Sequence, residues 1–256
     1  MEENAAPSSG GVFGSILIFL AYVFISVPVR AFFPGTASYF VDSALRAVFG
    51  AAALFLFVKH FQKENWTNVI HFKHFKEGLF ASIGIILLIL FLILRLATGA
   101  KAVEITAQMA LGRIFLQQFT TGFWEEMVFR AYLMEGYYSA VSSEERTWKD
   151  RLYYAFVSGV IFGMLHMFGN SSPLLIFAFT GAFGFIMASV YLHSHNILVC
   201  MLGHFIYDIF ANYQGFVTEW DGTNWFVQWY DTAFWTLLGI AFFIAIIYIV
   251  KKPADE

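Results

Sequence analysis

The sequence predicts an all-α, polytopic membrane protein, and two observations support this fold class. The chain has 256 residues, of which 59% are hydrophobic and only 13% are charged, about half the charged share of an ordinary soluble domain. It also contains several runs of about 20 mainly apolar residues, the length that crosses a bilayer as a helix. We therefore expect residues 1–256 to form a single integral-membrane domain, a bundle of about eight transmembrane helices.

Eight segments have the apolar length or the periodicity expected of spans. In chain order they are 12–29, 38–58, 78–98, 106–140, 152–168, 173–193, 196–215 and 232–250. The first apolar run, Val12 to Val29, is longer than the apolar region of a signal peptide, and no Lys or Arg precedes it. We therefore expect it to be a retained span.

The fourth segment is too long to be a plain span. Its first half, residues 106–122, mixes apolar residues with Gln108, Arg113 and Gln117. We expect this half either to lie at the membrane interface or to bend near Gly122 before it enters the bilayer.

The distribution of Lys and Arg favours an orientation with both termini in the cytoplasm. The segments that are then inside carry most of the bases: Lys59, Lys63, Lys73, Lys76, Arg146, Lys149, Arg151, Lys251 and Lys252. The outer segments and span ends carry only Arg30, Arg95 and Lys101. Because short cytoplasmic loops are enriched in Lys and Arg, we expect an N-in, C-in topology.

Composition also excludes several classes of partner and site. The single cysteine, Cys200, has no partner for a disulfide and cannot form a multi-cysteine metal site within the chain. The net charge is −3 and there is no basic stripe, so we expect no nucleic-acid partner. The lipid bilayer is the partner that this composition requires.

Three charged residues interrupt the fourth segment, in the stretch FWEEMVFR. An ionised side chain at the middle of a span costs about 2.5–3.5 kcal/mol, so Glu125, Glu126 and Arg130 need partners or water. Glu126 and Arg130 are spaced i, i+4 and can pair on one helix face. Glu125 is rotated away by about 100° and is expected to face another helix.

Two further polar insertions follow, each with the same spacing. Phe162 and His166 share a helix face, as do His204 and Asp208. A carboxylate one turn from an imidazole can hold the ring and its tautomer. Counting about 1.5 Å per residue from the predicted helix ends, these groups and Glu125 lie at compatible depths, so we expect them to meet in one cavity.

This set of residues suits the hydrolysis of an amide by water. Glu125 is the candidate general base; His166 would hydrogen-bond the same water or protonate a leaving amine, and His204 would stabilise an oxyanion. No serine or cysteine is convincingly placed as a nucleophile. Glu125, His166 and His204 would also form a catalytic zinc set, although there is no HExxH motif. The sequence therefore leaves both a metal-free and a zinc-dependent mechanism open. We expect no other cofactor.

Taken singly, each motif also has a structural explanation. An i, i+4 Glu–Arg pair neutralises itself, and a lone histidine in a membrane helix is often a hydrogen-bonded packing residue. Ionisable groups inside membranes nevertheless point to function by default, and this chain combines three such motifs in order.

The three motifs resemble those of the CPBP intramembrane proteases. This family includes the CAAX prenyl endopeptidases of the Ras-converting type and the bacterial Abi proteins linked to bacteriocin processing or self-immunity. Its EExxxR motif is similar to residues 125–130, its FxxxH motif to 162–166 and its HxxxN motif to 204–208. The resemblance covers a protease-like core of about residues 110–215.

The resemblance implies a role for each matched position. Glu125 and His166 would activate the water, His204 and residue 208 would stabilise the tetrahedral intermediate, and Glu126, Arg130 and Phe162 would support the site. Asp208 departs from the common asparagine. Because an ionised aspartate cannot donate to an oxyanion, Asp208 must be protonated, orient His204 or bind a cation.

The resemblance also implies a substrate class and a location. The leading hypothesis is an intramembrane endopeptidase, glutamate-dependent or metal-dependent, that acts on a peptide or lipidated peptide near its C-terminus or within a leader. The alternative is a non-enzymatic bacteriocin-immunity or scaffold protein with the same fold. An ion-coupled transporter ranks last because no inverted repeat is visible. The expected location is a bacterial cell membrane.

Overall fold

Helices dominate the computed structural model, which describes residues 10–61, 67, 69–134, 147–167, 171–251 and 253–254. The first four are α1 (Gly10–Phe32), α2 (Ala37–Phe61), α3 (Phe75–Ala81) and α4 (Ile83–Gly99). A central helical stretch consists of α5 (Ala107–Met109), a π-helical segment (Ala110–Leu116), α6 (Gln117–Glu126) and a second π-helical segment (Met127–Tyr132). The last five are α7 (Trp148–His166), α8 (Pro173–Ser194), α9 (Ile197–Tyr213), α10 (Trp225–Gln228) and α11 (Tyr230–Val250).

The expected all-α membrane bundle is confirmed. Four described helices are long and apolar enough to cross a membrane, namely α1, α2, α8 and α11, and α3 with α4 makes a fifth if the bent pair is one span. Large apolar side chains such as Phe24, Phe156 and Phe243 point away from the bundle and are mostly exposed, as lipid-facing residues would be. The count of eight spans and the N-in, C-in orientation stay predictions.

The third predicted span is broken rather than straight. Helices α3 and α4 meet at Ser82 with a bend of 62°. The Ser82 hydroxyl donates to the Gly78 carbonyl at 2.8 Å, which competes with the regular helical ladder at this point. Apolar periodicity carries no information about such a local break, so the sequence did not predict it.

The fourth predicted span departs from α geometry, but not at Gly122. Gly122 lies inside the regular helix α6, where a Cβ atom would be only 3.0 Å from the Met201 carbonyl oxygen of α9. The glycine therefore permits close packing instead of a bend. The departures are the two π-helical segments that flank α6, and such segments are frequent at functional sites. Residues 135–140 and 168, which were included in predicted spans, lie outside the described residues.

Helices α1, α2 and α6 pack around Trp124, which is fully buried. Its ring stacks on Phe19 at 6.1 Å between centroids and lies 4.8 Å from the ring of Tyr22. This aromatic cluster anchors the helix that carries the two adjacent glutamates. The position of Glu125 is therefore set by core packing on the residue next to it.

Helices α7 and α8 approach each other closely through glycines. A Cβ atom at Gly159 would lie 2.7 Å from the Gly181 carbonyl oxygen, and one at Gly163 would lie 2.9 Å from the Phe177 carbonyl oxygen. Only glycine lets the two backbones come this near. This packing sets the position of the C-terminal end of α7, where His166 is located.

A small antiparallel sheet caps one end of the bundle. Strand β1 (Ala100–Val103) follows α4 and pairs with β2 (Val217–Trp220), which follows α9. The Arg95 guanidinium lies 4.0 Å from the ring centre of Trp220 and 3.6 Å from that of Tyr230, which ties the sheet to α4 and α11. These strands were not predicted, because strands of four residues leave too short a sequence pattern to recognise.

Candidate functional site

Glu125 lies on α6 and is almost fully buried, with 6% of its surface exposed. Its Oε2 atom is 3.7 Å from Nε2 of His166, on α7, and 3.8 Å from Nε2 of His204, on α9. Both separations exceed a normal hydrogen bond. The carboxylate therefore faces both imidazoles without direct hydrogen bonds to them.

Glu126 points to the other side of His204. Its Oε1 atom is 2.7 Å from His204 Nδ1, and its Oε2 atom is 3.2 Å from Arg130 Nε. Glu126 and Arg130 are fully buried. With its Nδ1–H donated to Glu126, the His204 ring is held so that Nε2 faces Glu125.

His166 is oriented by its own helix. Its Nδ1 is 2.7 Å from the carbonyl oxygen of Phe162, one turn earlier, so Nδ1–H is the donor and Nε2 faces Glu125. The Phe162 ring lies 4.3 Å from the His166 ring and 4.8 Å from the Arg130 guanidinium. Phe162 thus packs between the imidazole and the buried ion pair.

Asp208 lies one turn beyond His204, with Oδ2 3.5 Å from His204 Nε2. The sequence left open whether Asp208 orients this histidine. In the structure Glu126 holds the ring through Nδ1, whereas Asp208 is near the nitrogen that faces the cavity. Its role stays a prediction.

The sequence analysis missed a contribution from α2. Arg46 Nη1 lies 3.7 Å from Glu125 Oε1 and donates to the Thr121 hydroxyl at 2.5 Å, while Nε donates to Asp42 at 2.9 Å. Asp42 also accepts hydrogen bonds from Tyr22 and Gln117. The sequence did contain a signal for this contribution of α2. Asp42 and Arg46 are an i, i+4 ion pair inside a predicted apolar span.

Glu125, the two imidazoles, Asp208 and Arg46 line one cavity of about 490 Å³. Its size is within the usual range of ligand pockets, about 300–1,000 Å³. The polar lining residues come from α2, α7, α8, α9 and the central helical stretch: Arg46, Arg113, Gln117, Gln118, Thr121, Glu125, His166, Thr180, His204, Asp208 and Asn212. A polar pocket of this size inside an apolar bundle has room for water.

The candidate zinc ligands lie slightly farther apart than two ligands of an ideal tetrahedral zinc ion. Two ligands of a tetrahedral zinc lie about 3.4 Å apart when each bond is about 2.1 Å. The Glu125 oxygen is 3.7 and 3.8 Å from the two imidazole nitrogens. Across the described residues, no group of three His, Cys, Asp or Glu side chains is placed to hold a metal ion.

Comparison with known families identifies the part of the chain that holds these motifs. Residues 106–210 match the family model described as type II CAAX prenyl endopeptidase Rce1-like. Over these residues the chain is similar to the CAAX-type proteases of the CPBP family. The resemblance of the three motifs to that family is thereby confirmed, and the apolar helices support an integral-membrane protein.

The remaining comparisons add no relative. A search of curated proteins and a search of solved structures both returned no match. The CPBP assignment therefore depends on the family model and on the motifs. A bacteriocin-related Abi type and a bacterial origin stay predictions.

Proposed function

We propose that this chain is an intramembrane endopeptidase that cleaves a peptide bond with water activated by Glu125 and His166. One observation carries the proposal: the buried Glu125 carboxylate faces the Nε2 atoms of two imidazoles, each held through its Nδ1 atom. In this arrangement Glu125 is the base, His166 is the second group that binds the water, and His204 is the group that stabilises the oxyanion. The family match supports peptide-bond hydrolysis as the reaction.

The proposed reaction uses only side chains of the cavity. Glu125 takes one proton from the water, and the water oxygen attacks the carbonyl carbon. The second hydrogen stays on that oxygen and donates a hydrogen bond to Nε2 of His166. His204, donating through Nδ1 to Glu126, presents a protonated Nε2 to the oxyanion. The proton on Glu125 then passes to the leaving nitrogen as the C–N bond breaks.

Arg46 supports the base from the side opposite the histidines. Its guanidinium faces Oε1 of Glu125 and leaves Oε2 directed at the imidazoles. Asp42 holds Arg46 in this position. We propose Arg46 as a positioning residue of the site.

The substrate we propose is a peptide or lipidated peptide, cleaved near its C-terminus or within a leader segment. The family match supports a CAAX-type substrate at the level of the family. The polar cavity accepts the backbone to be cut, and the surrounding bilayer accommodates apolar flanking groups.

The test is cleavage of farnesylated CAAX peptides and leader peptides by the purified protein. Glu125→Gln should reduce the rate by about 10²–10⁴-fold, the usual contribution of general acid–base catalysis. Glu104→Gln removes an acid that lies outside the cavity and should leave the rate unchanged. Equal rates for wild type and Glu125→Gln would rule out this mechanism.

Asp208 gives a reason to keep a second candidate, a non-enzymatic immunity or scaffold protein. A carboxylate 3.5 Å from His204 Nε2 would repel an oxyanion in its ionised form. If the fold acts without catalysis, Glu125→Gln and His166→Ala should both preserve the biological phenotype. Loss of the phenotype in both variants, with normal amounts of protein in the membrane, would exclude this candidate.

A further inference from the structure

One cation of the cavity has no counter-charge. Arg113 belongs to the first π-helical segment, is half-buried and lines the cavity. Across the described residues, no carboxylate pairs with its guanidinium and no acceptor takes a hydrogen bond from it. The other arginine of the cavity lining, Arg46, is paired with Asp42 and faces Glu125. Arg113 is therefore a charged group of the cavity that is available to an anionic ligand.

Two aromatic rings hold the Arg113 guanidinium. Its central carbon lies 5.1 Å from the ring centre of Phe216 and 5.7 Å from that of Tyr39, both within the cation–π range of about 6 Å. Neither ring supplies a hydrogen-bond acceptor atom, so the five N–H donors of the planar guanidinium remain for a ligand. Their fork geometry matches the two oxygens of a carboxylate, which can bind through two parallel hydrogen bonds.

A row of polar residues on the central helical stretch connects Arg113 to the proposed base. Arg113, Gln117, Thr121 and Glu125 follow one another at intervals of four positions, and all four line the cavity. At about 1.5 Å per residue, the positions from 113 to 125 cover about 18 Å of helix. An extended peptide covers that length with about five residues, at about 3.3 Å each. An anion held by Arg113 would therefore lie within about five residues of the bond that Glu125 cuts.

The α-carboxylate of the C-terminus is the anion that a peptide carries at a fixed place whatever its sequence. We propose that Arg113 binds the C-terminal α-carboxylate of the substrate and makes the cavity specific for chain ends. The bond that is cut then lies within about five residues of that carboxylate. The cleavage rests on the proposed function, whereas the carboxylate site rests on Arg113 and its surroundings. Of the two substrate types, this site selects cleavage near a C-terminus over cleavage within a leader segment.

The neighbours of Arg113 in the cavity fit a peptide better than a lipid headgroup. Gln117, Gln118 and Asn212 line the cavity with it, and amide side chains can both donate to and accept from a peptide backbone. The acyl chains of a phospholipid would instead require apolar walls. We therefore assign the anion to the peptide and not to a lipid phosphate.

Binding of matched peptides tests the site without any need for cleavage. The probe is a farnesylated, dye-labelled CAAX peptide, made once with a free C-terminal carboxylate and once as the C-terminal amide. It is added to the full-length Glu125→Gln protein in detergent, and the dissociation constants are measured by fluorescence anisotropy. The acid should bind about 10-fold or more tightly than the amide, the usual effect of hydrogen bonds to a charged group. Equal affinities, or no binding of either form, would overturn the proposal.

Variants of Arg113 in the same background identify the group that binds the carboxylate. Arg113→Gln should weaken binding of the acid about 10-fold or more and leave binding of the amide unchanged, and Arg113→Lys should keep part of the preference. Lys101→Gln is the matched control, because Lys101 is an exposed base outside the cavity lining, and it should keep the full preference. A full preference for the acid in an Arg113→Gln protein with normal thermal unfolding would overturn the proposal.

Cleavage by the wild type separates this proposal from the proposed function. The acid should have a lower KM than the amide, and mass spectrometry should find a released fragment of at most about five residues. Preferential binding of the acid without cleavage of either form would contradict the proposed function and still support the carboxylate site. Cleavage of both forms with equal KM would support the protease and overturn the carboxylate site.

Discussion

At the residue scale, the two imidazoles of the site are held in the same way by different partners. His166 donates Nδ1–H to the carbonyl of Phe162 in its own helix, and His204 donates Nδ1–H to the Glu126 carboxylate of another helix. Each ring therefore presents Nε2 to Glu125. We propose a positioning role for Glu126, the second glutamate of the pair, whose buried carboxylate is paired with Arg130.

Arg46 should matter for the rate more than for substrate binding. Arg46→Gln removes the cation beside Glu125, and we expect kcat to fall about 10-fold or more with KM little changed, a loss of about 1.4 kcal/mol or more. Arg46→Lys keeps the charge and should restore part of kcat. Steady-state kinetics on a cleaved peptide measures both constants.

The matched control is Arg113→Gln, which removes another arginine of the same cavity. Arg113 lies over the rings of Tyr39 and Phe216 and, within the described part of the chain, makes no ion pair with Glu125. We therefore expect Arg113→Gln to affect KM more than kcat. Wild-type kcat in a folded Arg46→Gln protein would contradict the assigned role.

At the element scale, the close contact of α7 and α8 places His166 at the site. Gly163→Ala adds a Cβ atom 2.9 Å from the Phe177 carbonyl oxygen and should destabilise the fold by about 1–3 kcal/mol, as overpacking does. Cleavage activity should fall as well, because His166 is less than one turn away. Thermal unfolding in detergent and peptide cleavage measure the two effects.

Gly239→Ala is the matched control, because a Cβ atom there meets nothing within 4 Å. It should be neutral or slightly stabilising, since alanine is a better helix former than glycine. If Gly163→Ala is as stable as Gly239→Ala, the close helix contact does not set the position of α7.

At the scale of the whole molecule, the bundle encloses a network of charges whose members compensate one another. Asp42 and Arg46 from α2 join Glu125, and Glu126 pairs with Arg130 and His204. Isolated, each ionised group would cost several kcal/mol in lipid. Packed together beside a cavity of about 490 Å³, these charges create a polar compartment inside an apolar helical bundle.

Metal removal tests the chemistry of the intact protein. Because no group of three His, Cys, Asp or Glu side chains among the described residues is placed to hold a metal ion, we expect cleavage to survive treatment with EDTA or phenanthroline. Metal analysis of the active protein should find less than one equivalent of zinc. Activity that is lost on chelation and restored by added zinc would contradict this expectation and favour a metalloprotease.

Much of the fold and the site could be predicted from local patterns. Apolar runs of bilayer length predicted the membrane helices, and i, i+4 spacing predicted that Glu126 pairs with Arg130. The same rule applied to Asp42 and Arg46 would have indicated α2 as part of the site. The break at Ser82 and the sheet of β1 and β2 were not predictable, since both depend on a few residues with no periodic signal.

The sequence by itself determined the all-helical membrane class and the three motifs, because hydropathy and helical spacing are properties of neighbouring residues. Only the tertiary structure decided that Glu126 holds His204 and that Arg46 faces Glu125. Glu126 and His204 are 78 positions apart in the chain. Pairs at such separation are selected by the packing of whole helices, which no local pattern encodes.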